Sequence, residues 1–143
     1  MILLLQGPDG GVTASRYCYI GGFDGTSNAL AGMMFGMKVG GTHAHSFVQS
    51  FSGLSELETR LITLPGGGGQ VDFVDIVLRI RSDLNWEHTN KGELAAFICY
   101  CQAFPDAFLA LVDTYDTLVS GIPNFLMCAV AMFEIGYQPL GIR

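Results

Sequence analysis

The sequence predicts an α/β fold in which strands deliver polar residues to one end of a parallel sheet or barrel. Three observations carry that prediction. Apolar segments of strand length alternate with segments of helical period, joined by connections of only a few residues, the rhythm of parallel strands with crossover helices. The stretch Gly40-Gly41-Thr42-His43-Ala44-His45-Ser46-Phe47 sets two glycines, two hydroxyls and two imidazoles between a strand-like run, Met37-Lys38-Val39, and residues able to start a helix. The continuous apolar run Phe108-Leu-Ala-Leu-Val112 ends on a second polar cluster, Asp113-Thr114-Tyr115-Asp116. A strand covered on both faces reads as such a run, and its C-terminal end is where α/β proteins keep their chemistry.

In chain order, Gly7-Pro8-Asp9-Gly10-Gly11 reads as a turn, after which Thr13 or Ser15 caps a helix through Ile20 that Gly21-Gly22 ends. Phe23 opens a short strand-like piece. Thr26 or Ser27 then caps a second helix over residues 29–35, with Gly36 at its C-terminal end. Next come the strand at residues 37–39 and the histidine cluster, with a helix from Phe47. Residues 52–70 are polar, have no consistent period and end in Pro65-Gly66-Gly67-Gly68-Gly69. They lack the Lys-Ser/Thr of a phosphate loop and read as a flexible insertion or linker.

Helical spacing returns at Val71, Val74, Val77 and Leu78. Thr89 or Asn90 caps the next helix, through Cys101, and Pro105 stops it. After the strand at residues 108–112 a helix over residues 123–134 leads to a last strand-like run, Tyr137-Gln-Pro-Leu-Gly-Ile-Arg143, within which the chain ends. About four strands can be counted, against the ~250 residues of a complete eight-stranded barrel. The count reads as part of a barrel.

Composition narrows the function classes. A chain of 143 residues is expected to form one domain and to bury roughly 68–70% of its unfolded surface. Half of it is hydrophobic, with a mean hydropathy of +0.39. The longest uninterrupted apolar run, residues 125–133, is far short of the ~20 residues of a spanning helix, and Met1-Ile-Leu-Leu-Leu5 is too short for a signal-peptide core. No membrane partner is expected. A net charge of −6 with 7 basic residues argues against nucleic acid, which needs clustered Lys and Arg. Cys18, Cys99, Cys101 and Cys128 form no CxxC pair and read as reduced core thiols of a cytoplasmic protein.

The residues themselves leave alternatives open. His43 and His45, two apart on a strand, would share a face, which suits a metal pair of the His-x-His hydrolase kind or simple structural histidines. His45-Ser46 lacks the Gly-x-Ser-x-Gly turn of a serine nucleophile. Asp113 and Asp116 suit helix caps as well as a site.

The same stretches carry a resemblance. Gly41-Thr42-His43-Ala44-His45-Ser46 resembles the Gly-Thr-x-Ala-His-Ser signature of nicotinate phosphoribosyltransferases. Gln6-Gly-Pro-Asp-Gly-Gly11, Gly21-Gly-Phe-Asp-Gly-Thr-Ser-Asn28, Asp113-Thr-Tyr-Asp116 and Ser120-Gly-Ile-Pro-Asn-Phe125 are similar to further stretches of that family, in its order. The resemblance implies part of the irregular (β/α) barrel of type II phosphoribosyltransferases and the chemistry of NAD salvage. In that reaction nicotinate, phosphoribosyl pyrophosphate, ATP and water give nicotinate mononucleotide, pyrophosphate, ADP and phosphate. It implies that His45 is phosphorylated by ATP, that Asp113 orients it, that Thr42 contacts nicotinate, and that Gly41 and Ser46 line the substrate site. It also implies magnesium carried mainly on diphosphate, no protein metal site, and a homodimer.

One departure bears on activity: Met1-Ile-Leu-Leu-Leu5 stands where the family has Phe-Gly-x-Arg-Arg, whose arginines are expected to bind substrate anions. With a bare apolar start and an end within a strand, the chain reads as a fragment that is inactive by itself. The rival expectation is a truncated variant that only binds partners or has no function.

Overall fold

The computed structural model describes residues 7–143, so the Met1-Ile-Leu-Leu-Leu5 run lies outside the described residues. The chain divides into two compact units, Met1–Gly41 and Thr42–Arg143.

In the first unit, α1 (Gly7–Ile20) takes in the glycine cluster expected as a turn. Pro8 suits a first helical turn because its fixed φ is already helical and its missing N–H would have had no partner. Asp9 beside it adds a negative charge to the first turn, where the helix dipole favours one. Ser15, an expected cap, lies inside the helix with Oγ donating to the Gly11 carbonyl at 2.9 Å.

The second helix, α2 (Ala29–Phe35), runs where predicted and ends at Gly36, held at φ 65°. Its cap is Asn28, whose Oδ1 accepts from the Ala31 N–H at 3.3 Å. Thr26, an expected cap, instead accepts the Asn28 N–H at 3.0 Å. The strand expected at residues 37–39 reduces to one parallel bridge, Thr26 to Val39. Gly25 is pressed so closely on that segment that a Cβ there would lie 2.5 Å from the Lys38 carbonyl oxygen. Val12, Ala31 and Met37 form a small core.

The second unit opens on α3 (His45–Gln49). Residues 52–70, expected as a linker, carry strand β1 (Leu61–Thr63) and the turn into β2 (Gln70–Asp72). The two strands pair antiparallel with Ile62 opposite Val71. Gly66 and Gly67 close the hairpin at φ 71° and 77°, a region that disfavours residues with a Cβ. A three-residue strand is too short to show a period, although it buries Ile62.

Asp72 then caps α4 (Phe73–Asp83), its carboxylate accepting from the Asp75 N–H at 2.8 Å. Phe73, Val74, Val77 and Ile80 point inward at helical spacing. Asn90 caps α5 (Lys91–Ala103) through the Glu93 N–H at 2.9 Å. That helix is buried on nearly all sides, which is why it reads as a continuous apolar run.

Strand β3 (Leu109–Ala110) pairs in parallel with β4 (Gly141–Ile142). The connection between them is a π-turn (Thr117–Gly121) that runs directly into α6 (Ile122–Glu134), so β3, α6 and β4 form a βαβ unit. The stretch Thr117–Glu134 is 18 residues with mean hydropathy 1.4, long and apolar enough to cross a bilayer by that criterion. Here Met127, Cys128, Ala131 and Met132 of α6 are buried in the core shared with α4 and α5. The Arg79–Glu134 ion pair ties α4 to the end of α6.

The four described strands therefore form two separate two-stranded sheets, one antiparallel and one parallel. The expected tally of about four strands is met with different members, because the hairpin supplies two and residues 37–39 supply only a bridge. All four cysteines are free, with Cys101 and Cys128 buried.

Candidate active site around His45

The helix after the glycines starts two residues earlier than its apolar pattern suggests. Ala44 takes extended backbone and His45 and Ser46 occupy the first turn of α3. The two histidines are therefore not on one strand face, as the expectation of a pair assumes. His43 is 8% exposed and lies among Phe47, Phe97 and Tyr100, with ring centroids 5.6, 5.9 and 4.7 Å away. His45 is exposed.

His43 is a core residue with a structural duty. Its Nε2 accepts the Leu111 backbone N–H at 3.1 Å, just beyond the two-residue ladder of β3. A nitrogen that accepts is unprotonated, so the ring is neutral there and its proton sits on Nδ1, which has no hydrogen-bond partner among the described residues. Burial, with the Arg143 guanidinium and His45 adding to it, lowers the His43 pKa from 6.5 to about 4. Arg143 also donates toward the His43 carbonyl at 3.4 Å. With Nε2 committed, His43 and His45 do not form a metal pair.

His45 meets the polar cluster that follows β3. Its Nδ1 is 3.1 Å from Thr114 Oγ1, and its Nε2 is 3.7 Å from Asp113 Oδ1. Both side chains of the His45–Asp113 pair are about half exposed, so a ligand has access. Asp113 and His45 thus come together across 68 positions of sequence. Asp116 does not join them: its Oδ1 accepts the N–H groups of Leu118 at 3.0 Å and Val119 at 2.8 Å, capping the π-turn.

Thr42 is half-buried, and its hydroxyl makes only a long 3.4 Å contact to the His43 carbonyl. Ser46 is exposed in the first turn of α3. Gly41 ends the first unit and packs on Ser27, where a Cβ would come within 3.3 Å. Among the described residues no group of three or more His, Cys, Asp or Glu side chains converges to hold a metal ion.

Sequence reasoning missed Thr114, although it lies inside the Asp-Thr-Tyr-Asp cluster. It also missed a buried network behind that cluster. Glu93, 0% exposed, accepts from Ser120 Oγ at 2.5 Å and from Asn124 Nδ2 at 2.9 Å through Oε2. Burial raises the Glu93 pKa above the usual carboxylate value, with these two hydrogen bonds opposing. The signal was available: one acid opens an otherwise apolar helix, and Ser120 and Asn124 sit in a single short motif.

No family model matches the chain. Comparison with curated proteins and solved structures is more informative. The chain is 49% identical to nicotinate phosphoribosyltransferase 1 of Arabidopsis thaliana over 147 residues, and 51% identical to the Bos taurus enzyme over 146. These alignments cover 96% of this chain, and 26% and 27% of those proteins. The crystal structure of human nicotinic acid phosphoribosyltransferase superimposes with a TM-score of 0.79 at 46% identity, covering 96% of this chain and 29% of that one. The chain spans about a quarter of the length of the curated relatives it matches.

Fold and sequence together thus make the chain similar, over nearly its whole length, to a segment of the nicotinate phosphoribosyltransferases.

Proposed function

We propose that a full-length polypeptide carrying this segment is a nicotinate phosphoribosyltransferase of NAD salvage in which His45 is the phosphoryl acceptor. The observation that carries the reading is that Nδ1 of His45 lies in hydrogen-bond reach of the Thr114 hydroxyl at 3.1 Å while Nε2 faces the Asp113 carboxylate at 3.7 Å. A carboxylate favours a proton on the nitrogen facing it and stabilises a cationic ring. Nε2 therefore carries the proton and Nδ1 keeps its lone pair, which accepts from Thr114 at rest. Nδ1 is also the nitrogen from which the negative γ-phosphoryl group meets less repulsion from Asp113.

Attack by Nδ1 on the γ-phosphorus of ATP forms a P–N bond and breaks the bond to the β–γ bridging oxygen, releasing ADP. Asp113 offsets the charge gained by the ring. Hydrolysis of the labile phosphoramidate gives phosphate and is coupled to the unfavourable ribosyl transfer. In that transfer the nicotinate nitrogen bonds to the anomeric carbon of phosphoribosyl pyrophosphate as pyrophosphate leaves, through an oxocarbenium-like state. Thr42, whose hydroxyl makes a long 3.4 Å contact to the His43 carbonyl among the described residues, is assigned to nicotinate, and Ser46 and Gly41 to the substrate site.

Magnesium is the ion proposed for the reaction, and among the described residues Asp116, the second acid of the cluster, is spent on its own backbone. The ion is assigned to the diphosphate of the substrate. A partial (β/α) barrel is supported by the β3–α6–β4 unit, and a cytoplasmic homodimer is the assembly proposed for the full-length enzyme.

The test is formation of nicotinate mononucleotide by the full-length polypeptide from nicotinate and phosphoribosyl pyrophosphate, with and without ATP. ATP should raise the yield in the parent and not in His45→Ala. Equal stimulation in both would overturn the assignment. For the 143 residues by themselves a second reading holds, catalytic silence, because they span only about a quarter of the relatives.

A further inference from the structure

The buried polar network behind the site reaches the His45 constellation from both sides. Glu93 and Asn124 are 0% exposed. Ser120 Oγ donates to Glu93 Oε2 at 2.5 Å and accepts the Asn90 backbone N–H at 3.0 Å. Asn124 Nδ2 donates to Glu93 Oε2 at 2.9 Å and to the Asn90 carbonyl at 3.1 Å. These bonds join the first turn of α5 to the π-turn. π geometry is rare, and such turns are frequent at functional sites.

The π-turn is in turn pressed on the strand end that carries Asp113 and Thr114. A Cβ on Gly121 would lie 1.9 Å from the Val112 carbonyl oxygen, so only glycine allows this approach. Asp116 starts the same turn by accepting from Leu118 and Val119. The other side of the α5 turn holds the other partner. A Cβ on Gly92 would lie 2.2 Å from the Phe51 carbonyl oxygen, just past the one-turn helix that begins with His45. One turn of α5 therefore abuts the segment that follows the His45 helix directly, and reaches the segment that presents Asp113 and Thr114 through the π-turn.

We infer that the first turn of α5, through Glu93 and its bonds to Ser120 and Asn124, is a positioning device that sets His45 against Asp113 and Thr114. Glu93 touches no substrate and acts only through those groups. Its second oxygen, Oε1, and Asn124 Oδ1 have no hydrogen-bond partner among the described residues. The carboxyl group is thus kept buried at a cost, and a purely apolar core would have avoided it. The kinetic half of the inference rests on the phosphohistidine reading above, whereas the geometric half does not.

The experiment uses the full-length enzyme with 15N-labelled histidine, reading the His45 ring signals together with kcat and KM. Ser120→Ala, which removes the link between the two turns, and Glu93→Ala should both shift the His45 signals. Both should lower kcat by roughly ten- to a hundredfold, the scale of a misplacement near 1 Å, with KM for nicotinate within about twofold. Glu93→Gln retains one acceptor oxygen for Ser120 and Asn124 and should recover most of the rate. Ile80→Val, a core change in α4, should lower the melting temperature and leave the His45 signals and kcat alone. If Glu93→Ala does not fold, Ser120→Ala decides.

Unchanged His45 signals and kcat in Ser120→Ala, or equal changes from Ile80→Val, overturn the inference. Should His45→Ala keep its ATP-dependent gain while Ser120→Ala still shifts the His45 signals, the phosphohistidine reading fails and the positioning role stands.

Discussion

Acid should loosen this segment through His43, and the size of the effect follows from its surroundings. The ring is 8% exposed, accepts the Leu111 N–H at 3.1 Å, and has a pKa lowered from 6.5 to about 4 by burial, Arg143 and His45. Its folded-state pKa lies below the unfolded one, so the fold favours the neutral form. That stabilisation is complete above pH 6.5 and is lost as pH falls from 6.5 toward 4. At about 1.36 kcal/mol per pKa unit, the shift is worth on the order of 3 kcal/mol, of which most is gone by about pH 4.5.

Chemical denaturation of the full-length polypeptide at pH 7.5 and 4.5 measures the loss, and His43→Gln isolates it. Glutamine can still accept the Leu111 N–H but does not titrate. Other groups change the stability of both proteins alike, so the parent should lose roughly 2–3 kcal/mol more than the variant between those pH values. Equal losses would refute the assignment of His43 as a neutral core acceptor.

Other outcomes follow from the same geometry. Gly121→Ala, with its Cβ 1.9 Å from the Val112 carbonyl oxygen, should destabilise by about 3 kcal/mol or more in a denaturant titration, the scale of overpacking. The 143 residues expressed alone should give no nicotinate mononucleotide above a blank in an assay with all three substrates, since they cover about a quarter of their relatives. The isolated chain should also self-associate in sedimentation, because Leu118 (76%), Phe133 (61%) and Met33 (78%) stand exposed as large apolar side chains. A monomer with a sharp melt would contradict that.

Much of the fold was legible because helix signals are local. Asn90 and Gly36 marked the helix ends where the structure has them, and the 3.6-residue spacing of Val74 and Val77 gave the buried face of α4. The run Phe108-Leu-Ala-Leu-Val112 and the last segment proved to pair as parallel strands. The hairpin at residues 61–72 was hidden because three-residue strands carry no period, and four glycines look alike whether they flex or turn. The Gly7–Gly11 cluster misled because Pro8 and Asp9 favour a first helical turn as much as a loop.

At the site, sequence proximity placed His43 and His45 together, and the structure separates them, since the turn into α3 rotates one inward and the other outward. The approach of Asp113 to His45 was reached from the resemblance alone. Thr114 meets His45 through a contact between distant elements that local sequence does not report, whereas Glu93 left a local signal as the acid that opens an otherwise apolar helix.

The most direct test of the central claim is where a phosphoryl group from ATP comes to rest. Full-length enzyme incubated with γ-labelled ATP should carry an acid-labile, base-stable label on His45, linked through Nδ1. The label should vanish in His45→Ala and persist in His43→Gln. Label that survives His45→Ala, or is lost from a folded His43→Gln protein, would contradict the account.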